Sequence, residues 1–381
     1  QSVASEVRAL NSVGVDVRLH RIDNSALDAL GSLGKARSVM GTDEMLDQLR
    51  GAISYHKPDI VHAENLFPQF GGAAIRVLRH YNMPWVRTLR NYRKGCLAGT
   101  FELAGRSCTL CSSSLLALPG IRHKCYKGGR IESAAASVSR ILDVRAEAQH
   151  PPLAYFSVSD FVGERISEDT LPEVPTITVY NAIERPVGVE VVPPITRDFD
   201  ICFVGRLEEE KGIARAVELA RTDGHRWAFV GDGSLRPVVE ELAEGSVGRI
   251  DHLGPLTYDR TMSVMSESKV AVVPSTWDEP FGRVAVEAMA VGAVPLVANR
   301  GGLPEAVRAL PIDAVVHASN DDAWRKKCRQ VLDLDSVALN SLSSAAIEVW
   351  KTKFTEHSLG MNLKRHYEEL LSQPAVVLRN G

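Results

Sequence analysis

The sequence predicts an α/β protein made of two doubly wound domains, each with a mostly parallel sheet. Its 381 residues suit two domains at ~100–200 residues each, and 45% of them are hydrophobic, enough for two cores. Short apolar runs alternate with helix-type stretches in both halves, as in βαβ units. Residues 186–197 contain Pro186, Pro193 and Pro194 and are predicted to be the interdomain linker.

The strands of the first half are apolar runs bounded by polar or turn-forming residues. They are predicted at 15–22, 59–63, 84–89, 153–158 and 176–180. The second half is more regular, with strands at 200–204, 226–230, 249–253, 269–273, 294–298 and 312–316, and helices near 211–222, 234–244, 258–266, 283–291, 303–309 and 321–333. The tail 336–372 is predicted to be helical, with Trp350, Phe354, Leu363 and Tyr367 as packing residues.

These patterns give the domain boundaries. We expect an N-terminal domain at 1–185 with an insertion at 94–130, and a C-terminal domain at 198–350. The helices of 351–381 are expected to cross back to the N-terminal domain.

Composition and charge exclude several classes of protein. No apolar run approaches the ~20 residues of a membrane-spanning helix, and six cysteines are too few for a disulfide scaffold. The net charge is −3, but residues 65–131 hold eleven Lys or Arg and one acid, Glu102, a local charge of +10. That excess favours an anionic partner over an ordinary solvated face, which usually mixes charges.

Four glycine-containing segments follow predicted strands. Gly205-Arg206, with Lys211 just beyond, places two cations beside a helix start, where phosphate binds well. A second turn contains Asp232 and Gly233, where Asp232 is equally well explained as a helix cap.

The segment 274–282 is more specific. It places Glu279 in a loop, and Glu287 lies on the helix that follows, so both carboxylates can face one ligand with vicinal hydroxyls, such as a sugar or ribose. A single Glu at a helix start is explained by the helix dipole, but a second Glu is not. The fourth segment, containing Gly301 and Gly302, offers backbone N–H groups to an anion.

Together these segments resemble retaining glycosyltransferases of family four (glycosyl transferases group 1), and Tyr180–Glu184 resembles the family's exit motif from the N-terminal domain. The resemblance implies the GT-B fold of two facing Rossmann-like domains. It also implies roles for single residues: Arg206 and Lys211 bind the donor diphosphate, Glu279 the donor-sugar hydroxyls and Glu287 the ribose. The remaining donor-binding positions that it implies are Gly205, Gly233, the backbone of Phe281 and Gly282, and Gly301 and Gly302. No divalent metal or other cofactor is needed for catalysis on this basis.

Two departures from the family pattern concern the N-terminal domain. The family usually has a strand and a glycine-rich loop before its opening helix, and Gln1 is expected to fall just after that loop, with a natural start as the alternative. Arg90 stands where the family often has a donor-contacting His, so we count it as a catalytic candidate. It can hydrogen-bond sugar hydroxyls or phosphate, but it cannot act as a base at neutral pH.

Four cysteines lie in the insertion. Cys96, Cys108, Cys111 and Cys125 include a C-x2-C pair, a spacing typical of structural zinc, and they resemble a subgroup of the family. Disulfides or free thiols are the alternatives. Cys202 and Cys328 are expected to be small core residues.

The expected function is retaining transfer of a sugar from a UDP- or GDP-linked donor to a glycan or lipid-linked acceptor, in cell-surface polysaccharide or glycolipid synthesis. The expected location is cytoplasmic, peripheral at the inner membrane, with an anionic membrane surface as a further partner. The alternatives are a GT-B epimerase or phosphorylase, and a zinc-containing nucleic-acid binder. Few aromatic residues are interleaved with the cations of 65–131, so nucleic acid is not an expected partner.

Overall fold

The computed structural model describes residues 2–21, 42–67, 70–112, 114–317 and 320–373. Within these ranges the chain forms two larger parallel sheets flanked by helices, which confirms the predicted α/β fold. We call the parts built on the first and second sheet the N-terminal and C-terminal domains. None of the described helices is both long and apolar enough to cross a membrane.

The first sheet contains four parallel strands among the described residues. Along the chain the strands are β1 Val61–Glu64, β2 Trp85–Leu89, the short antiparallel pair β3 Glu102–Leu103 and β4 Arg106–Ser107, then β5 Tyr155–Ser157 and β6 Thr176–Thr178. The sheet order is β1-β2-β5-β6, with β3 and β4 apart from it. The helices are α1 Ser2–Ser12, α2 Asp43–His56, α3 Gly71–His80, α4 Leu118–Arg122, α5 Arg130–Gln149 and α6 Asp160–Arg165.

The second sheet is wholly parallel, in the order β12-β11-β10-β7-β8-β9. Its strands are β7 Phe199–Val204, β8 Trp227–Val230, β9 Ile250–His252, β10 Ser268–Val273, β11 Val294–Ala298 and β12 Val315–Val316. The helices between and after them are α7 Ile213–Thr222, α8 Arg236–Glu244, α9 Tyr258–Ser266, α10 Arg283–Ala290, α11 Leu303–Val307 and α12 Asp321–Leu332. β10 and β11 are almost continuous apolar runs, as expected of central parallel strands with helices on both faces.

The helical tail divides between the two domains. α13 Ser336–Lys353 packs on the C-terminal domain, and α14 Glu356–Ser372 packs against α1 and the first sheet. Leu363 and Tyr367 of α14 are buried there. The break falls where Thr355 accepts a hydrogen bond from the backbone N–H of Ser358, which caps the new helix.

One prediction about the elements, the first strand, is wrong. Residues 15–21 form no strand: Val15 and Val17 pack on the core, but no described strand runs beside them to complete a ladder, and residue 22 lies outside the described residues. The predicted boundary after residue 350 falls inside α13, because the helix continues to Lys353. The end of the predicted tail segment, 374–381, also lies outside the described residues.

Candidate functional site

The candidate residues of the C-terminal domain lie where its strand order reverses. β7 and β10 are neighbours in the sheet although they are far apart in sequence, so their connections leave in opposite directions. In open α/β sheets, ligands bind at such a point, beyond the carboxyl ends of the strands. The loop at 205–212 follows β7 and the loop at 274–282 follows β10, so both predicted segments border this crevice.

Lys211 and Glu279 meet in this crevice. The Lys211 Nζ donates to Oε1 of Glu279 at 2.7 Å, and the Ser275 Oγ donates to the same oxygen at 2.8 Å. The Lys211 ammonium also lies 5.0 Å from the centre of the Trp277 ring, a cation–π contact. A cation and a carboxylate are thus held side by side, and a ligand carrying both phosphate and hydroxyl groups could engage each of them.

Arg206 is placed differently. Its side chain is 64% exposed and donates to Glu210 at 2.6 Å, one helical turn further along the same loop. Among the contacts of the described residues, none joins Arg206 to Lys211 or Glu279. The structure thus holds Arg206 at the surface beside Glu210, and its contact with an anion in the crevice stays a prediction.

Glycines in the loops after β7 and β8 allow the backbones of these two loops to come into contact. A Cβ on Gly233 would lie 2.6 Å from the carbonyl oxygen of Leu207, and the neighbouring Gly231 would meet the carbonyl oxygen of Gly205 at 1.8 Å. Only glycine permits this approach. The structure therefore gives Gly231 and Gly233 a packing role, and the contact of Gly205 and Gly233 with a donor stays a prediction.

Gly301 and Gly302 support the loop that carries Glu279. Gly301 has a φ of +57°, and a Cβ there would lie 2.1 Å from the carbonyl oxygen of Glu279. The Gly302 N–H donates to that same carbonyl at 2.7 Å. Gly282 has a φ of +91° and lies against Leu303. These glycines thus position Glu279 through the backbone.

Phe281 is a core residue. Its side chain is 3% exposed and packs on the rings of Tyr180 and Phe354. Only its backbone is therefore left for a ligand, in keeping with the role that the resemblance implied.

Glu287 is buried on α10, and the Arg283 Nη2 donates to it at 3.3 Å. Burial raises the pKa of Glu287, and the neighbouring Arg283 opposes that rise. The contacts of the described residues do not link Glu287 to Glu279, so the two predicted carboxylates occupy separate environments on one side of the sheet.

The two domains touch around the same loop. The Tyr92 hydroxyl donates to the carbonyl of Asp278 at 2.9 Å, and the Ser159 Oγ donates to the carbonyl of Pro280 at 2.6 Å. Sequence reasoning missed both contacts, because an isolated Tyr or Ser gives no signal for a backbone acceptor in another domain.

Glu305 makes a third link between the domains. Its carboxylate accepts hydrogen bonds from the backbone N–H groups of Asp160 and Phe161 at 2.7 and 2.8 Å, and so caps α6 from the opposite domain. Glu305 lies three residues beyond the Gly301-Gly302 pair, and sequence reasoning missed its contact with the other domain.

Arg90 belongs to a polar cluster of the N-terminal domain. Its Nε donates to Glu64 at 2.7 Å, and its two Nη groups bind Glu6, Glu64 and Asn181. It directly follows β2, and no contact of the described residues joins it to Lys211 or Glu279. Four hydrogen bonds hold the guanidinium in the cluster, and its contact with a donor stays a prediction.

The protonation of this cluster follows from burial. Burial and the adjacent Glu64 raise the pKa of Glu6 to about 9. Burial also opposes the charge of Glu64, but hydrogen bonds from Glu6 and Arg90 hold its pKa low, at about 2. The two carboxyl groups therefore share one proton and one negative charge beside Arg90.

His62 lies within the same cluster. Its ring nitrogens bond the hydroxyls of Tyr367 at 2.6 Å and Thr88 at 2.5 Å, and burial lowers its pKa to about 4. Ligand atoms of Glu6, His62 and Glu64 lie within 4.8 Å of one another, a spacing that could hold a cation. The guanidinium of Arg90 already supplies the positive charge between the two carboxylates.

The four cysteines of the insertion are neighbouring free thiols. Burial raises the pKa of Cys125, and Cys96, Cys111 and Cys108 contribute to the rise. Tetrahedral thiolates bound at about 2.3 Å require sulfurs about 3.8 Å apart. No three of these four sulfurs, all within the described residues, come within 4.8 Å of one another. Four cysteine thiols suit zinc, but their sulfur atoms lie farther apart than tetrahedral coordination requires. The zinc site stays a prediction.

The cations of 65–131 do not form one surface. Arg87 and Lys94 are buried against Glu147 of α5, and Arg93 lies over the rings of Phe67 and Tyr126. The exposed cations are Arg76, Arg79, Arg106, Arg122, Lys124, Lys127 and Arg130. The local charge of +10 is therefore spread over several surroundings, because acids outside the segment fold back onto part of it, and an anionic partner for the exposed cations stays a prediction.

Comparison with known proteins agrees with this architecture. Residues 190–348 match the family model described as Glycosyl transferases group 1. An uncharacterized 42.6 kDa protein in the cps region of Klebsiella pneumoniae is 26% identical over 264 residues, which are 67% of this chain and 61% of that protein. Glycogen synthase of Mycobacterium tuberculosis is 26% identical over 262 residues, 66% of this chain and 54% of the synthase. The chain thus matches little more than half the length of these relatives.

Among solved structures, sucrose-phosphate synthase from Thermosynechococcus elongatus aligns over 98% of this chain and 93% of its own, with a TM-score of 0.66 and 17% identity. At that identity the likeness concerns the fold, and it confirms the GT-B arrangement of two Rossmann-like domains.

Proposed function

We propose that this protein is a nucleotide-sugar-dependent glycosyltransferase that retains the anomeric configuration of the sugar. The observation that carries the proposal is the Lys211–Glu279 pair at the carboxyl ends of β7 and β10. The match of 190–348 to group 1 glycosyl transferases supports it. Anabaena HepE, a structural neighbour with a TM-score of 0.59 and 16% identity, was solved with UDP and glucose, which supports a UDP-linked donor, with GDP as the other candidate base.

In the proposed complex, each polar group takes one part of the donor. Lys211 leaves Glu279 for the diphosphate, Arg206 turns in from the surface to the same group, and Glu279 accepts hydrogen bonds from sugar hydroxyls. Glu287 accepts from the ribose hydroxyls. Arg90 contributes a hydrogen bond to the sugar or phosphate from the N-terminal side.

The proposed reaction replaces one C–O bond with another. The bond between the anomeric carbon and the diphosphate oxygen breaks, the acceptor oxygen bonds to the same face of that carbon, and the departing diphosphate takes the acceptor's proton. The leaving diphosphate gains negative charge, which Lys211 and Arg206 stabilise most strongly in the transition state. We propose that these cations meet that need without a divalent metal.

The acceptor side is assigned to the N-terminal domain. We propose a glycan or lipid-linked acceptor and a role in cell-surface polysaccharide or glycolipid synthesis, with the protein on the cytoplasmic side of the inner membrane.

Calorimetric titration with UDP, GDP and their sugar conjugates tests the donor, and an NMR time course of the product's anomeric proton tests retention. Binding of neither nucleotide would contradict the proposal, and an inverted product would contradict the retaining mechanism. Conversion of a nucleotide sugar without an acceptor into an epimer would identify an epimerase. Loss of turnover in EDTA, restored by Mg²⁺, would contradict the metal-free step.

A further inference from the structure

The turn before α4 and the exposed side of α5 display apolar side chains to solvent. Each of these side chains is between 42% and 61% exposed; they are Leu115, Leu116, Leu118, Ile131 and Val138. Single exposed apolar residues are common, but a cluster of large ones marks an interaction surface.

The fold brings these residues to one region. α4 packs on α5, and the Ser137 Oγ donates to the carbonyl of Leu116, so the turn lies beside the part of α5 that carries Val138. Ile131 and Val138 are seven residues apart, which places them on one face of α5. We call residues 115–138 the hairpin surface.

The stretch from the end of α4 to the start of α5 is strongly basic. Residues 103–131 contain no Asp or Glu. Its exposed cations are Arg122, Lys124, Lys127 and Arg130. The next acid, Glu132, is only partly exposed, in the first turn of α5. The hairpin surface thus joins exposed leucines to cations that no neighbouring acid in this segment offsets.

We propose that the hairpin surface docks onto an anionic lipid bilayer. Apolar side chains enter the boundary between headgroups and acyl chains, while Lys and Arg meet lipid phosphates. The charge selects a negatively charged partner, and the leucines favour one with an apolar interior. The inference extends the proposed function, on whose lipid-linked acceptor it rests for its purpose, by naming the surface that meets the membrane.

The position of the hairpin surface suits that purpose. The insertion begins directly after Tyr92 and Arg93, and the Tyr92 hydroxyl contacts the loop of Glu279 through the carbonyl of Asp278. The hairpin surface belongs to the same domain as the proposed acceptor site. A bilayer bound to it would therefore lie next to the domain that takes the lipid-linked acceptor.

Vesicle co-sedimentation of the full chain tests the inference, with phosphatidylcholine vesicles that contain none or 30% phosphatidylglycerol. The charge variant Arg122→Gln/Lys124→Gln should bind the anionic vesicles roughly 25-fold more weakly, about fivefold for each cation. The apolar variant Leu115→Ser/Leu118→Ser should also bind at least roughly tenfold more weakly. The matched control Arg76→Gln/Arg79→Gln removes two exposed cations from α3 and should stay within about twofold of the unaltered protein.

The outcomes separate the explanations. The inference is supported if binding needs anionic lipid, weakens as the salt concentration rises, and is lost in the hairpin variants. Equal binding by hairpin variants and control, equal binding to neutral vesicles, or burial of the hairpin surface in a self-association seen by light scattering would overturn it. Thermal unfolding of the same samples shows whether each variant is folded, and nucleotide affinity is measured beside it. Vesicle binding without nucleotide binding would contradict only the proposed function, and the reverse result only the membrane inference.

Discussion

Replacing Glu279 with Gln should tighten the binding of a nucleoside diphosphate, although Glu279 belongs to the proposed donor site. The ammonium of Lys211 is bonded to this carboxylate at 2.7 Å, so the diphosphate must compete for it. Glu279→Gln removes the competing charge and keeps the shape of the side chain.

The magnitude follows from the environment of the pair. The side chains of Lys211 and Glu279 are 22% and 13% exposed, so water screens their contact only in part. A hydrogen bond to a charged group contributes about 1.5–3 kcal/mol. We take the lower end, because the amide still accepts a weaker hydrogen bond, and expect an affinity gain of about tenfold. Turnover should fall by about one to two decades, because a neutral amide holds the sugar hydroxyls less firmly.

Calorimetric titration with UDP and GDP measures the affinity, and product formation measures turnover. Lys211→Met should weaken the same titration about tenfold or more, since it removes the phosphate ligand itself. Glu241→Gln, an exposed change on α8, is the control and should alter neither quantity. If Glu279→Gln weakened diphosphate binding as much as Lys211→Met, the two residues would not be divided between phosphate and sugar as we propose.

Three further predictions concern other parts of the chain. Glu287→Ala should weaken nucleotide binding by about one to two decades. In the unaltered protein the affinity for a nucleotide sugar should fall as the pH falls through the raised pKa of Glu287, because the protonated acid accepts less well from ribose; calorimetry at several pH values measures both effects. Gly360→Ala should lower the free energy of unfolding by about 2 kcal/mol or more, since its Cβ would lie 2.2 Å from the carbonyl oxygen of Ala9, whereas Gly51→Ala, in open space on α2, should be neutral or stabilising by denaturant titration. Protein purified without chelator should hold about one zinc per chain by elemental analysis, and it should lose that zinc when the four insertion cysteines are replaced by Ser: Cys96, Cys108, Cys111 and Cys125.

The C-terminal domain could be predicted almost element by element. Most of its strands are largely apolar, and a glycine follows β7 and β8 directly, so strand and turn are signalled by adjacent residues. Predicted and observed bounds of α9, 258–266, coincide. The residues that determine these elements are close together in the sequence, so the elements can be predicted from the sequence alone.

The N-terminal domain depends more on contacts that are distant in sequence. The alternation at 15–21 is real, but a strand also needs a partner, which the alternation cannot supply. The polar cluster around Arg90 could not be predicted, because its partners Glu6, Glu64 and Asn181 lie up to 91 residues away. The local charge of +10 in 65–131 is offset in part for the same reason, since Glu147 neutralises Arg87 and Lys94 from outside that segment.

The return of α14 to the N-terminal domain changes what cleavage of the linker would do. The described chain passes between the domains twice, once at 186–197 and again at 354–355, and Tyr367 sits in the core of the domain it returns to. After a cut within 186–197, the two pieces would therefore stay associated through the packing of α14 on the N-terminal domain. Residues 2–185 expressed alone would expose the apolar face that α14 covers. Any opening of the cleft must bend both passages together, which restricts the domains to a shared hinge axis.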